Sequence, residues 1–126
     1  MDKPSEAIDH AAKVVEIYRP CGDPRTAPAV KHDAGKPRTD LLPCDALLAV
    51  SAVLRYGAGE YGDRNWEKGM QWGRLWAALL RHGFSWARGE TYDDESGLRH
   101  TAHMACCALM LLSHELRSIG IDDRGV

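Results

Sequence analysis

A chain of 126 residues with 44% hydrophobic and 27% charged residues is long enough for one domain with a buried core. Its formal net charge of -2 excludes the broadly basic surface of a general nucleic-acid binder. The longest apolar run, Met104 to Leu112, falls far short of the ~20 residues of a membrane span. Residues 1–6 also lack the apolar stretch of a signal peptide, so a soluble cytoplasmic protein with no membrane partner is expected.

Ser5 precedes apolar positions 8, 11, 12 and 15, which predicts a short amphipathic helix ending before Pro20. From Arg19 to Pro43 five prolines, with Gly22 and Gly35, forbid a regular element and predict a long loop. Residues 1–30 therefore read as an N-terminal helix and linker. Pro43 suits the first turn of a helix running to Tyr56, with Leu47, Val50, Leu54, Ala58 and Tyr61 along one face. Gly57, Gly59 and Gly62 weaken and close it, and residues 63–69 form a turn-rich connector. A helix over 74–88 carries Leu75, Leu79, His82 and Trp86 on one stripe. After the acidic loop 89–97, a helix over 98–118 shows two seams, one with Leu98, Ala102, Leu109 and Leu116, the other with His100, His103, Cys107 and His114. No segment alternates like a strand. The expected fold is all-α, a compact bundle of about four helices counting the one after Ser5, with the functional domain at 31–118 and a C-terminal tail at 119–126, completed by oligomerisation because apolar residues line two sides of its helices.

Four groups of residues carry possible chemistry. Glu90, Asp93, Asp94 and Glu95 crowd one interhelical loop, where hard oxygen donors suit Mg²⁺ or Mn²⁺, although acids just before a helix also serve as caps. His82 lies on an apolar stripe, and His100 and His103 share a face of the next helix, so facing helices can bring all three beside that loop. Such imidazoles bind metal, bond phosphate or move protons near neutral pH. Lys31, Lys36 and Arg38, flanking Asp33 and Gly35, suit a polyphosphate, and Arg81 beside His82 is a second phosphate clamp. Tyr61, Asn65 and Trp66 can stack on and hydrogen-bond a nucleobase, or fill the end of the bundle. Cys21, Cys44, Cys106 and Cys107 match neither a zinc ribbon nor a disulfide framework and are expected as reduced thiols. A Cys/His metal site is disfavoured because adjacent cysteines face different ways.

In order, Lys31-His-Asp-Ala-Gly-Lys-Pro-Arg-Thr-Asp-Leu-Leu-Pro43, Tyr56-Gly-Ala-Gly-Glu-Tyr-Gly-Asp-Arg-Asn-Trp66, Leu80-Arg-His82, Gly89-Glu90 and Asp93-Asp-Glu-Ser-Gly-Leu-Arg-His-Thr-Ala-His103 resemble the MazZ-type dATP/dGTP diphosphohydrolases of bacteriophages. The resemblance spans residues 31 to about 113. It implies hydrolysis of dGTP and dATP between the α- and β-phosphates, in a host cytoplasm, with dGMP feeding synthesis of 2-aminoadenine nucleotide. It also implies kinship with the MazG-like all-α pyrophosphohydrolases, which assemble as dimers or tetramers. Those enzymes carry Glu-x-x-Glu and Glu-x-x-Asp on successive helices. Glu90-Thr-Tyr-Asp93 looks like the second half, whereas Glu60-Tyr-Gly-Asp63 departs from the first in having Asp for Glu.

The expected mechanism has Glu90, Asp93 and Glu95, helped by His100 or His103, holding Mg²⁺ or Mn²⁺. Lys31, Lys36, Arg38 and Arg81 grip phosphates, with Asp33 in the same loop. His82 or a free carboxylate takes a proton from water, and Tyr61, Asn65 and Trp66 contact the purine. The alternatives are a broad housecleaning nucleotide pyrophosphatase and a helical nucleotide-sensing module that binds without cleaving.

Overall fold

The computed structural model describes residues 27–125, and the chain divides into two compact units, up to Pro37 and from Arg38 onward. Residues 27–37 are irregular and exposed apart from one turn. There the Lys36 N–H donates to the Asp33 carbonyl at 3.1 Å, and Gly35 takes a φ of 78° that suits glycine. The helix expected after Ser5 lies outside the described residues.

The second unit holds α1 (Cys44–Tyr61), α2 (Trp72–Ala87) and α3 (His100–Arg117), with 3-10 turns at Thr39–Leu41 and Asn65–Lys68. Among the described residues there is no strand beyond two isolated bridges, Gln71 with Ile121 and Tyr92 with Arg99. The helical class is as expected; of the about four helices anticipated, three lie among the described residues. α1 starts directly after Pro43, with Asp45 in its first turn complementing the helix dipole. It continues through Gly57 and Gly59, a turn beyond the expected end at Tyr56, because each glycine costs a helix only about 1 kcal/mol. It stops at Gly62, where φ reaches 88°.

α3 packs against both α2 and α1. The core joins Val50 and Val53 of α1 to Ala102 and Cys106 of α3, with Ala49, Leu98, Ala105 and Met110 around them, and Leu75 is the buried residue of α2. Small Ala102 and Cys106 let α1 approach closely, so its buried stripe is narrow. Leu47 and Leu54, expected on the inner face with Val50, are therefore exposed at the edges of that stripe. Leu48, Trp76, Phe84 and Leu116 also stand exposed.

Residues after α3, expected as a tail, fold back on the start of α2. The Trp72 N–H donates to the Ile121 carbonyl at 3.0 Å, and the Ile121 N–H to the Met70 carbonyl at 3.0 Å. The Trp72 indole N–H reaches the Ile119 carbonyl at 2.9 Å, and the Gly73 N–H reaches Asp123 Oδ1 at 2.7 Å. This return requires glycine at position 120, where φ is 80° and a Cβ would collide with the Met70 carbonyl oxygen. Gly120→Ala is expected to destabilise the unit by about 2 kcal/mol or more, lowering Tm by about 10 °C in a circular-dichroism melt. An unchanged melt would show that the segment does not pack there.

Candidate active site

The segment between α2 and α3 is short, so the two helices run antiparallel and the last turns of α2 lie beside the first turns of α3. Gly89, at φ 96°, ends α2 by donating its N–H to the Trp86 carbonyl at 2.9 Å, while the Glu90 N–H reaches the Ser85 carbonyl at 3.1 Å. The loop that follows is closed on itself. The Asp93 N–H donates to the Leu98 carbonyl at 2.8 Å, the Gly97 N–H to the Asp93 carbonyl at 2.8 Å, and the His100 N–H to the Thr91 carbonyl at 3.0 Å. These bonds set the Asp93 carboxylate against the entry to α3.

Three imidazoles meet there. The rings of His82 and His103 stack with centroids 4.3 Å apart and planes 8° from parallel, and His82 lies 5.3 Å from His100. The Nδ1 atoms of His82 and His100 stand 3.0 Å apart. One ligand atom from each of His82, Asp93 and His100 falls within 4.8 Å of the others. His100 is only 4% exposed, and its Nε2 has no hydrogen-bond partner among the described residues; Glu90 Oε2 is 3.7 Å away. A buried ring nitrogen left in this state costs about 1–3 kcal/mol, and two imidazoles with one carboxylate make a donor set that fits a divalent cation.

Hydrogen bonding fixes the protons of the second layer. Asp93 Oδ2 accepts the Ser96 N–H at 2.9 Å and the Ser96 hydroxyl at 2.8 Å. With its one proton given to the carboxylate, the Ser96 hydroxyl must accept from His103 Nε2, 2.7 Å away. Burial would raise the Asp93 carboxyl, but the two Ser96 donors, with His103 and His82 nearby, outweigh it and hold it below its ordinary value. Glu90 is lowered chiefly by the Arg88 guanidinium at 3.1 Å. Burial, and then neighbouring imidazoles, lower His82; burial outweighs the attraction of Asp93 and lowers His103.

These shifts fix a sign. An unfolded chain protonates both imidazoles near the ordinary 6.5, whereas the folded chain resists, so stability falls as pH drops below about 6.5. The depressed Asp93 acts the same way at lower pH: its contribution is present above the unfolded value and lost as pH falls through the folded one. In chelator, Tm is expected to hold steady above pH 7 and to decline progressively from pH 6.5 to 5. A level Tm across that range contradicts neutral imidazoles at His82 and His103.

The other expected site residues are distributed as follows. Glu95 is exposed at the rim of the cluster, and Arg81 is exposed one position before His82. Arg38 forks onto Asp40 at 2.8 and 2.7 Å. Lys31, Asp33 and Lys36 belong to the first unit. Trp66 sits far from the histidines: its ring stacks on His114 at 6.1 Å and under Arg117 at 5.3 Å, with His114 eleven residues, about 16 Å, along α3 from His103. Asn65 opens the same 3-10 turn, and Tyr61 is 73% exposed at the end of α1. Sequence reasoning missed two residues. Ser96 carried a signal, since Asp followed three positions later by Ser marks a side-chain-to-backbone turn. Tyr56 carried none; partial burial, then Glu60, Glu95 and Asp93, raise its phenol above the ordinary value.

A cleft of about 420 Å³ opens elsewhere, between Trp72, Trp76, Leu111, Glu115, Asp123 and Arg124. Its polar walls are already paired: Asp123 accepts the Gly73 N–H, and Arg124 forks onto Asp122 and lies 5.1 Å over the Trp72 ring. The histidine cluster differs in bringing two imidazoles and a carboxylate together around one point.

Residues 26–124 match the family described as dATP/dGTP diphosphohydrolase, N-terminal. A protein of Salmonella phage PMBT28 named dATP/dGTP diphosphohydrolase is 37% identical over 76 residues, which make up 60% of this chain and 26% of the relative. The chain thus spans about a quarter of that relative's length. No solved structure matches it.

Proposed function

The chain belongs to the dATP/dGTP diphosphohydrolase N-terminal family, and from that premise we propose that it hydrolyses dGTP and dATP to the monophosphate and pyrophosphate with a divalent cation, Mg²⁺ or Mn²⁺. The observation that carries this reading is the convergence of His82, Asp93 and the buried His100 on one point. These three, with Glu90 and Glu95 at the rim, would hold the ion. When bound, such an ion supplies charge for the phosphate oxygens and the leaving pyrophosphate, and acidifies a water. The residues themselves do the rest. Ser96 and His103 hold Asp93 ionised and oriented. Glu90, kept ionised by Arg88, accepts a proton at the rim, a role His82 shares only with its ring free of His100. Arg81 takes a phosphate, and Arg38 joins it by leaving Asp40. Trp66 is committed to His114 and Arg117, which leaves Tyr61 as the exposed ring able to stack on a purine.

The test is incubation of the protein with each dNTP and NTP and Mg²⁺ or Mn²⁺, followed by chromatography. Expected products are dGMP and dAMP with pyrophosphate. Equal rates on pyrimidines favour a broad housecleaning enzyme, and binding without cleavage favours a sensor. In a phage that replaces adenine by 2-aminoadenine, this step would supply dGMP and deplete dATP. Exposed Leu48, Phe84 and Leu116 support assembly into a dimer or tetramer, which light scattering checks.

A further inference from the structure

We propose that His82, Asp93 and His100 form a two-histidine, one-carboxylate site that selects a first-row transition ion over magnesium. The inference rests on the reading of this cluster as the active site and names the ion it takes. Imidazole nitrogen suits ions such as Fe²⁺, Co²⁺ and Zn²⁺, whereas Mg²⁺ demands oxygen ligands and gives up its waters reluctantly. Two of the three convergent donors here are nitrogens.

The spacing agrees with the donor chemistry. Two nitrogens each about 2.1 Å from one ion stand about 3.0 Å apart when they meet it at a right angle, and about 3.4 Å apart in a tetrahedron. His82 Nδ1 and His100 Nδ1 are 3.0 Å apart. A bond between the two rings gives the same distance; what points to an ion is the third donor, Asp93, converging on the same pair. Ligation through Nδ1 would place the proton on Nε2, 3.7 Å from Glu90 Oε2, where a small shift of the exposed Glu90 side chain would complete the carboxylate–histidine–metal arrangement that orients metal ligands. The carboxylate is prepared in the same way. Both Ser96 donors fall on Asp93 Oδ2, so Oδ1 is not engaged by Ser96. Three protein ligands would leave positions open for water and phosphate oxygen.

The test uses the full chain stripped with chelator and titrated with Co²⁺, followed by visible absorbance, with Mg²⁺ as competitor. Co²⁺ is expected to develop ligand-field bands at a stoichiometry of about one, and a 100-fold excess of Mg²⁺ should leave them in place. His82→Gln should weaken Co²⁺ binding at least about 10-fold, and Glu90→Gln about 10-fold through His100. Mn²⁺ bound to the protein should show imidazole nitrogen modulation in pulsed electron paramagnetic resonance. His82 is only half-buried, so its variant remains informative if substitution of His100 prevents folding; circular dichroism checks both. Displacement by equimolar Mg²⁺, or undiminished Co²⁺ binding by His82→Gln, overturns the proposal even where dGTP is cleaved. Tight, histidine-dependent Co²⁺ binding without dGTP cleavage upholds the ion site and overturns the hydrolase reading instead.

Discussion

Asp93→Asn is expected to cut pyrophosphate release from dGTP by about 10²–10³-fold, with the loss in kcat rather than KM. Asn keeps the size of the side chain and one oxygen to accept the Ser96 N–H and hydroxyl, so the closed loop and the tautomer of His103 persist. What disappears is the negative charge between His82 and His100. That charge holds a cation and offsets the charge of the phosphates around it, so its removal bears on the step where charge develops. A far-UV spectrum like that of the parent would confirm that the fold survives. Parent-like turnover in a folded Asp93→Asn protein would remove Asp93 from the site.

His114→Ala should have the largest effect on stability, about 3 kcal/mol, or a Tm drop of roughly 10–20 °C for a unit of this size. His114 is fully buried; its Nε2–H donates to the Trp66 carbonyl at 2.8 Å, and its ring supports the Trp66 ring, which Arg117 covers from outside. Truncation opens a cavity and strands a carbonyl oxygen together. His114→Gln, which keeps a donor, should recover part of the loss. Below its melting point the Ala variant should turn over dGTP normally, because the defect lies about 16 Å along α3 from the histidine cluster. A raised KM would instead assign Trp66 to the purine.

The helices were legible because their apolar stripes recur at helical spacing, and α2 and α3 fall within two residues of the expected bounds. The meeting of His82, His100 and His103 was legible for the same reason: a short loop forces the two helices to face each other. Other features depend on contacts that periodicity does not encode. Leu47 and Leu54 share the stripe of Val50, but the width of what α1 buries is set by the small residues of α3. Trp66 and His114 are 48 positions apart, and only the folded chain shows that the two side chains meet. The return of residues 119–123 was hidden because its bonds run mostly through backbone, on a stretch of Gly and Asp that reads as a tail. The pairing of Asp93 with Ser96 hides in an acidic run that caps explain equally well.

The loop before α3 is knotted to that helix by main-chain bonds at Asp93, Gly97 and His100. Carboxylate and imidazole are thereby two jaws of a single clamp, and a force on one is felt by the other. Their amide protons should exchange with solvent as a group and slow together when the jaws close on a ligand. Deuterium uptake by this stretch therefore gauges occupancy without any turnover at all.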